Sequence, residues 1–143
     1  MDGGQTRRCT RKGAAVEIHK SAENYLETIL LLEKRLASVR SVDVANELGF
    51  SKPSVSIAMK NLRENGHIVI DGKGGISLTE TGRTVAEVIY ERHRLLTDFF
   101  ISLGVREETA AEDACSIEHI ISPESFEAIK ALYPNLPDIM NRI

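Results

Sequence analysis

Between Ser41 and Thr79 the chain carries two short runs of helically spaced apolar residues parted by one glycine, then two β-prone runs around a glycine-rich tip. Val42, Ala45 and Leu48 behind Ser41 as cap predict a short helix that Gly49 terminates. Ser51 can cap the next helix, Pro53 falls in its first turn, and Val55, Ala58, Met59 and Leu62 form its inner stripe before Asn65-Gly66. Two helices joined by a short glycine-containing turn make a helix-turn-helix. The runs from His67 to Asp71 and from Ile76 to Thr79 flank Gly72-Lys73-Gly74-Gly75, a hairpin tip bearing a lysine. Together they predict a winged helix-turn-helix.

Ahead of this segment, Ala22, Tyr25, Leu26, Ile29, Leu30 and Leu36 follow helical spacing from a cap at Ser21. Behind it, Thr79 is placed to cap a long helix from Glu80 to about Leu103, with Val85, Ile89, Leu96, Phe100 and Leu103 turned inward. A further helix is expected from Glu107 to Ile121, and Ser122-Pro123 starts another with Phe126, Ile129 and Leu132 spaced for burial, broken by Pro134 and Pro137. The expected fold is therefore mainly α. It comprises a basic, disordered arm over residues 1–16, a winged helix-turn-helix over 17–82 and an all-helical part over 83–143. The arm, with Arg7, Arg8, Arg11 and Lys12, reads as a solvated tail.

The chain has 143 residues, enough for one ordinary domain or a small domain with a helical appendage. No run approaches the roughly 18 apolar residues that a membrane span needs, and the first residues lack the apolar stretch of a secretory signal, so a cytoplasmic protein is expected. The net charge of −3 exerts no general pull on nucleic acid, so any DNA contact rests on a local patch. Such a patch is present. With the apolar stripe of the second helix turned inward, Lys52, Pro53, Ser54, Ser56 and Lys60 face outward, and Lys52, Lys60, Arg63 and the tip's Lys73 can supply phosphate charge. Any soluble helix has a polar outer face, but the wing favours the DNA reading.

Cys115, Glu118 and His119 stand at i, i+3 and i+4, which on one helix places a thiol, a carboxylate and an imidazole on one face. This mixture of donors suits Mn(II), Fe(II), Co(II), Ni(II) or Zn(II) better than calcium or magnesium. His93, in register with Ile89 and Leu96, and Glu27, an acid on a leucine-rich helix, are further candidates. Singly, each has a plain explanation as a core histidine, a solvated acid or a small buried hydrophobe. Cys9 and Cys115 are the only cysteines and lie over a hundred positions apart, so neither a disulfide framework nor a paired-cysteine zinc finger is expected, and Cys9 reads as inert.

Taken jointly, these features resemble the diphtheria toxin repressor family of metal-dependent regulators, and more closely its two-domain manganese transport regulator branch. The likeness runs from about Ser21 to Arg142. It is carried by Ser-Ala-Glu-Asn-Tyr-Leu-Glu-Thr-Ile-Leu over Ser21 to Leu30, the helix-turn-helix, Leu78-Thr79-Glu80-Thr81-Gly82, Glu91-Arg92-His93-Arg94-Leu95-Leu96, and Cys115-Ser116-Ile117-Glu118-His119. The resemblance implies that Glu27, His93, Cys115, Glu118 and His119 ligate metal and that the helices after the wing pair two subunits. Asn24 stands where manganese-type members have an acid and iron-type members a methionine. Cys115 stands where the former have glutamate and the latter cysteine. Thr97 and Ala111 replace ligands of the iron-type ancillary site, and the additional C-terminal domain of the longer iron-type repressors is not expected.

The implied function is that of a homodimeric, non-enzymatic regulator, a repressor of metal-uptake genes that binds operator DNA when loaded with Mn(II) or Fe(II), with Co(II) or Zn(II) also chemically suitable. No organic cofactor or membrane partner is implied. Two alternatives from other classes are an effector-independent winged-helix module and a small metalloenzyme. The latter lacks a Ser/His/Asp set, a P-loop or a dinucleotide glycine motif.

Overall fold

The structure, a computed structural model, describes residues 18–132. Helices α1 (Ile18–Glu33), α2 (Ser41–Leu48) and α3 (Lys52–Glu64) precede strands β1 (Ile68–Ile70) and β2 (Ile76–Leu78). Helices α4 (Glu80–Ser102), α5 (Glu107–Ile117) and α6 (Pro123–Leu132) follow. The chain forms two compact units that meet in sequence inside α4, one ending at Val88 and the other beginning at Ile89.

In the first unit Leu26, Ile29, Val44, Val55, Met59, Leu62 and Ile68 are buried together with Ile76 and Leu78 from the hairpin. Helix α1 begins at Ile18, so Ser21 lies within it rather than capping it, and Leu36 falls beyond its end, 38% exposed. Helix α2 starts at Ser41, which leaves Arg40 at the cap position, its N–H donating to Asp43 Oδ2 at 2.9 Å. The inner residues are Val44, Ala45 and Leu48, while Val42 is 39% exposed. The physical reason is spacing: 44, 45 and 48 follow the i, i+1, i+4 pattern of one face, and position 42 lies two steps from 44, on the far side. Gly49 closes α2 at φ 69°, a left-handed conformation that glycine adopts without a Cβ penalty.

Helix α3 keeps its expected cap. Ser51 Oγ accepts the Ser54 N–H at 3.3 Å, and Pro53 fits the first turn. The wing is an antiparallel pair with Ile68 opposite Leu78 and Ile70 opposite Ile76. Its tip is drawn together by Asp71 Oδ1, which accepts the N–H groups of Lys73 and Gly75, each at 2.8 Å. The Ile76 N–H donates to the Val39 carbonyl at 2.7 Å, tying the wing to the segment before α2. Thr79 then serves two neighbours: its hydroxyl donates to the Gly66 carbonyl at 2.7 Å and accepts the Gly82 N–H at 3.1 Å as the cap of α4. At Gly82 any Cβ would collide with the His67 carbonyl, so this close approach of helix to wing requires glycine.

In the second unit α4 buries Ile89, Leu95 and Leu96, whereas Leu103, expected inside, lies past the helix end and is 63% exposed. Helix α5 stops at Ile117, four residues short of the expected Ile121, because the Ile117 carbonyl accepts from both Ile120 and Ile121 at 2.9 Å and closes a turn. Phe126 of α6 packs with Leu95, Ile121 and Ile129. The Arg92 guanidinium lies over the Phe126 ring, 5.6 Å from its centroid, and donates to the carbonyls of Glu118 and Ile121, fixing the turn after α5. Leu132, expected to be buried, is 73% exposed. Residues 1–16, with Cys9 and the basic arm, and the breakers Pro134 and Pro137 lie outside the described residues.

Candidate metal centre

Helix α4 carries His93, the last turn of α5 carries Cys115, and Glu118 is the C-cap of α5. One donor atom from each of these three residues lies within 4.8 Å of the others. His93 Nδ1 is 2.8 Å from Glu118 Oε2, and His119 Nε2 is 3.4 Å from Glu118 Oε1. The carboxylate thus has an imidazole on each oxygen. Glu118 is 0% exposed, the side chain of His119 1% and that of His93 15%.

The local backbone explains how the cluster forms. Although α5 ends at Ile117, Glu118 retains helical geometry at φ −56°, ψ −26°, and its N–H still donates to the Ala114 carbonyl at 2.9 Å. The Cys115–Glu118 spacing of one helical face therefore survives to the last residue that can express it. His119 enters from the turn beyond, so the expectation of three donors on one helix is corrected to Cys115 on the helix, Glu118 at its C-cap and His119 after it. The Thr97 hydroxyl donates to the His93 carbonyl at 2.7 Å, which anchors it to the backbone of α4.

A fully buried carboxylate is costly unless positive charge stands close to it. One imidazole, a carboxylate and a sulfur converge here, with the His119 imidazole beside the carboxylate, and a donor set of this intermediate softness fits a divalent transition metal. Cys115 bears on this fit. It is disulfide-bonded in this structure, which corrects the expectation that no disulfide would form, and a thiolate ligand requires its reduction. Asn24 and Glu27, the candidates from α1, lie in the first unit, three residues apart on one face of that helix and both half-buried.

On α3, Lys52, Pro53, Ser54, Ser56, Lys60 and Arg63 are all exposed, as is Lys73 at the wing tip. The Ser54 hydroxyl accepts from Ser51 Oγ at 2.8 Å, so it belongs partly to the helix cap. Sequence reasoning misses Ile57, which is 64% exposed on the same helix. The signal is present in the spacing, since position 57 lies two steps from both Val55 and Met59, off the inner stripe.

Residues 17–76 match the family model described as "Iron dependent repressor, N-terminal DNA binding domain", and residues 79–136 match "Iron dependent repressor, metal binding and dimerisation domain". The chain is 35% identical over 108 residues to the transcriptional regulator MntR of Escherichia coli O157:H7, an alignment covering 76% of this chain and 70% of that one. It is similar in structure to the manganese regulator SloR, with a TM-score of 0.71, 27% identity, and coverage of 79% of this chain and 53% of that one. A manganese-dependent transcriptional repressor in complex with manganese gives a TM-score of 0.70 and 30% identity over 77% of this chain and 51% of that one. The chain thus spans about half the length of these solved structures. No described helix is long and apolar enough to cross a membrane.

Proposed function

Because this chain belongs to the iron-dependent repressor family, whose two domain models together span residues 17–136, we propose that it is a metal-dependent transcriptional repressor. In this reading it acts in the cytoplasm as a homodimer and binds operator DNA when loaded with a divalent transition metal. The observation that carries the proposal is the cluster of half-buried His93 with buried Glu118 and Cys115, which falls within the segment matching the metal-binding and dimerisation domain. The family is one of regulators, and the metalloenzyme reading is set aside.

His93, Cys115, Glu118 and His119 would hold the ion. The metal supplies fixed positive charge that ties its ligands into one arrangement. Manganese or iron is the proposed physiological ion: the names of the relatives favour manganese, while Cys115 adds a softer donor. The protein's own part is geometric. Glu118 and His93 present ready-placed donors, and Arg92 holds the backbone of the turn that carries His119. On the DNA side, Lys52, Lys60, Arg63 and Lys73 would meet phosphates, while Pro53, Ser54 and Ser56 approach base edges from the N-terminal half of α3. In a two-fold dimer the two recognition helices must match half-sites about one DNA turn, roughly 34 Å, apart. Metal binding would favour that spacing.

Operator affinity, measured by anisotropy on a duplex selected from a random library, should rise by about 5- to 150-fold on adding Mn(II) or Fe(II) under reducing conditions. The variants His93→Ala and Glu118→Ala should lose this gain while keeping their helical circular dichroism. A folded Glu118→Ala variant that still responded to metal would overturn the assignment. Equal binding with and without metal by the parent protein would instead mark an effector-independent DNA-binding module.

A further inference from the structure

We propose that Ile57 reads a thymine: its side chain packs on the 5-methyl group of one thymine per half-site in the major groove and so sets the operator's base preference at that position. This deepens the DNA-binding reading above and rests on it.

At 64% exposure, Ile57 is the most exposed large apolar side chain among the described residues up to Val88. A single exposed apolar residue needs no explanation in general, so its position has to carry the argument. Val55, Met59 and Leu62, at 0%, 1% and 3% exposure, commit one face of α3 to the core. Ile57 stands on the opposite face, with Pro53 and Ser54 one turn before it and Lys60 and Asn61 one turn after, all exposed. A β-branched residue there is a poorer helix former than the lysine or glutamate common on solvated faces, and this one buries little against its own fold. Folding therefore gives no reason for isoleucine at this place.

The surroundings point to the occupant. Lys52, Lys60 and Arg63 make the exposed face of α3 basic, complementary to a phosphate backbone, and the segment falls within the match to a DNA-binding domain. An aliphatic side chain offers no donor or acceptor. Of the groups displayed in the major groove, the thymine methyl is the one it matches, whereas the polar edges of a G·C pair would lose water against it without gaining a hydrogen bond.

The test uses the whole 143-residue chain, reduced and manganese-loaded. Duplexes are first selected from a random library, and each selected thymine is then replaced by deoxyuridine, which lacks only the 5-methyl group. One position per half-site should lose about four-fold in affinity on this replacement, as expected for one methyl removed from an apolar contact. In Ile57→Ala the same replacement should have no effect at that position, and Ile57→Gln should shift the selected base from thymine toward adenine. Thermal unfolding confirms that these exposed-site variants are folded. Sequence-specific binding by the parent that is indifferent to uracil everywhere, or uracil sensitivity that survives in Ile57→Ala, overturns the role of Ile57 alone. If no sequence is enriched by the metal-loaded protein, the DNA-binding reading falls and this inference with it.

Discussion

Glu118 stands out at the level of single residues because it is completely buried and has histidines at both oxygens, an arrangement that pure packing does not explain. Asp98, one turn along α4 from Arg94, is the contrasting case. It is 6% exposed, its Oδ2 has no hydrogen-bond partner, and burial pushes its carboxyl above the ordinary value of 3.8, with Arg94 and His93 pulling the other way. The folded protein thus holds the Asp98 proton more tightly than the unfolded chain does. As pH rises from the unfolded chain's ordinary value of 3.8 through the raised value of the folded protein, ionisation of Asp98 destabilises the fold. Asp98→Asn, which resembles the protonated form, should therefore raise the stability of the metal-free protein at about pH 7 and lose most of that advantage by about pH 4. Urea unfolding at both pH values checks this, and an equal advantage at the two would refute it. Asp98 was not legible as a buried acid in the sequence, because its position relative to the apolar stripe of α4 depends on which turns of that long helix are covered.

Among the elements, α3 and the wing were the most legible. Ser51, Pro53 and the spacing of Val55, Met59 and Leu62 define the helix locally, and the glycines around Lys73 allow a tight tip. Local signals sufficed because caps and turns are made by residues close in sequence. Helix ends were read less well: α5 stops at Ile117 because of carbonyl competition in the following turn and the grip of Arg92 from α4, neither of which is written in local spacing. The basic face of α3 carries a prediction at this scale. The double variant Lys52→Ala, Lys60→Ala should weaken operator binding and flatten its salt dependence, the slope of log affinity on log salt falling by about 0.9 for each phosphate contact removed. A titration from low to moderate salt with an unchanged slope would place the DNA on another surface.

Considered as a whole molecule, the chain divides within α4 into a unit bearing the winged helix-turn-helix and a unit bearing His93, Cys115, Glu118 and His119. Metal binding to the native state should stabilise it by mass action, by about 2.7 kcal/mol when the free ion is at 100 times its dissociation constant. Because Cys115 is disulfide-bonded here, thermal melts with Mn(II) should show this gain fully in the presence of reductant and be diminished without it. Equal gains in both conditions would mean that the cysteine is not a ligand. By itself the sequence determined the mainly helical fold, the winged helix-turn-helix and the choice of candidate metal ligands, the last through a set of motifs rather than any single spacing. These are properties of short segments, where cap, turn and periodicity act between near neighbours. Only the tertiary structure decided that His93, twenty-two positions before Cys115, meets the carboxylate of Glu118, that His119 arrives from a turn, and that Ile57 is left in solvent on the reading helix. Such facts depend on which helix faces are covered by other parts of the chain, and packing between distant segments is settled by the folded whole.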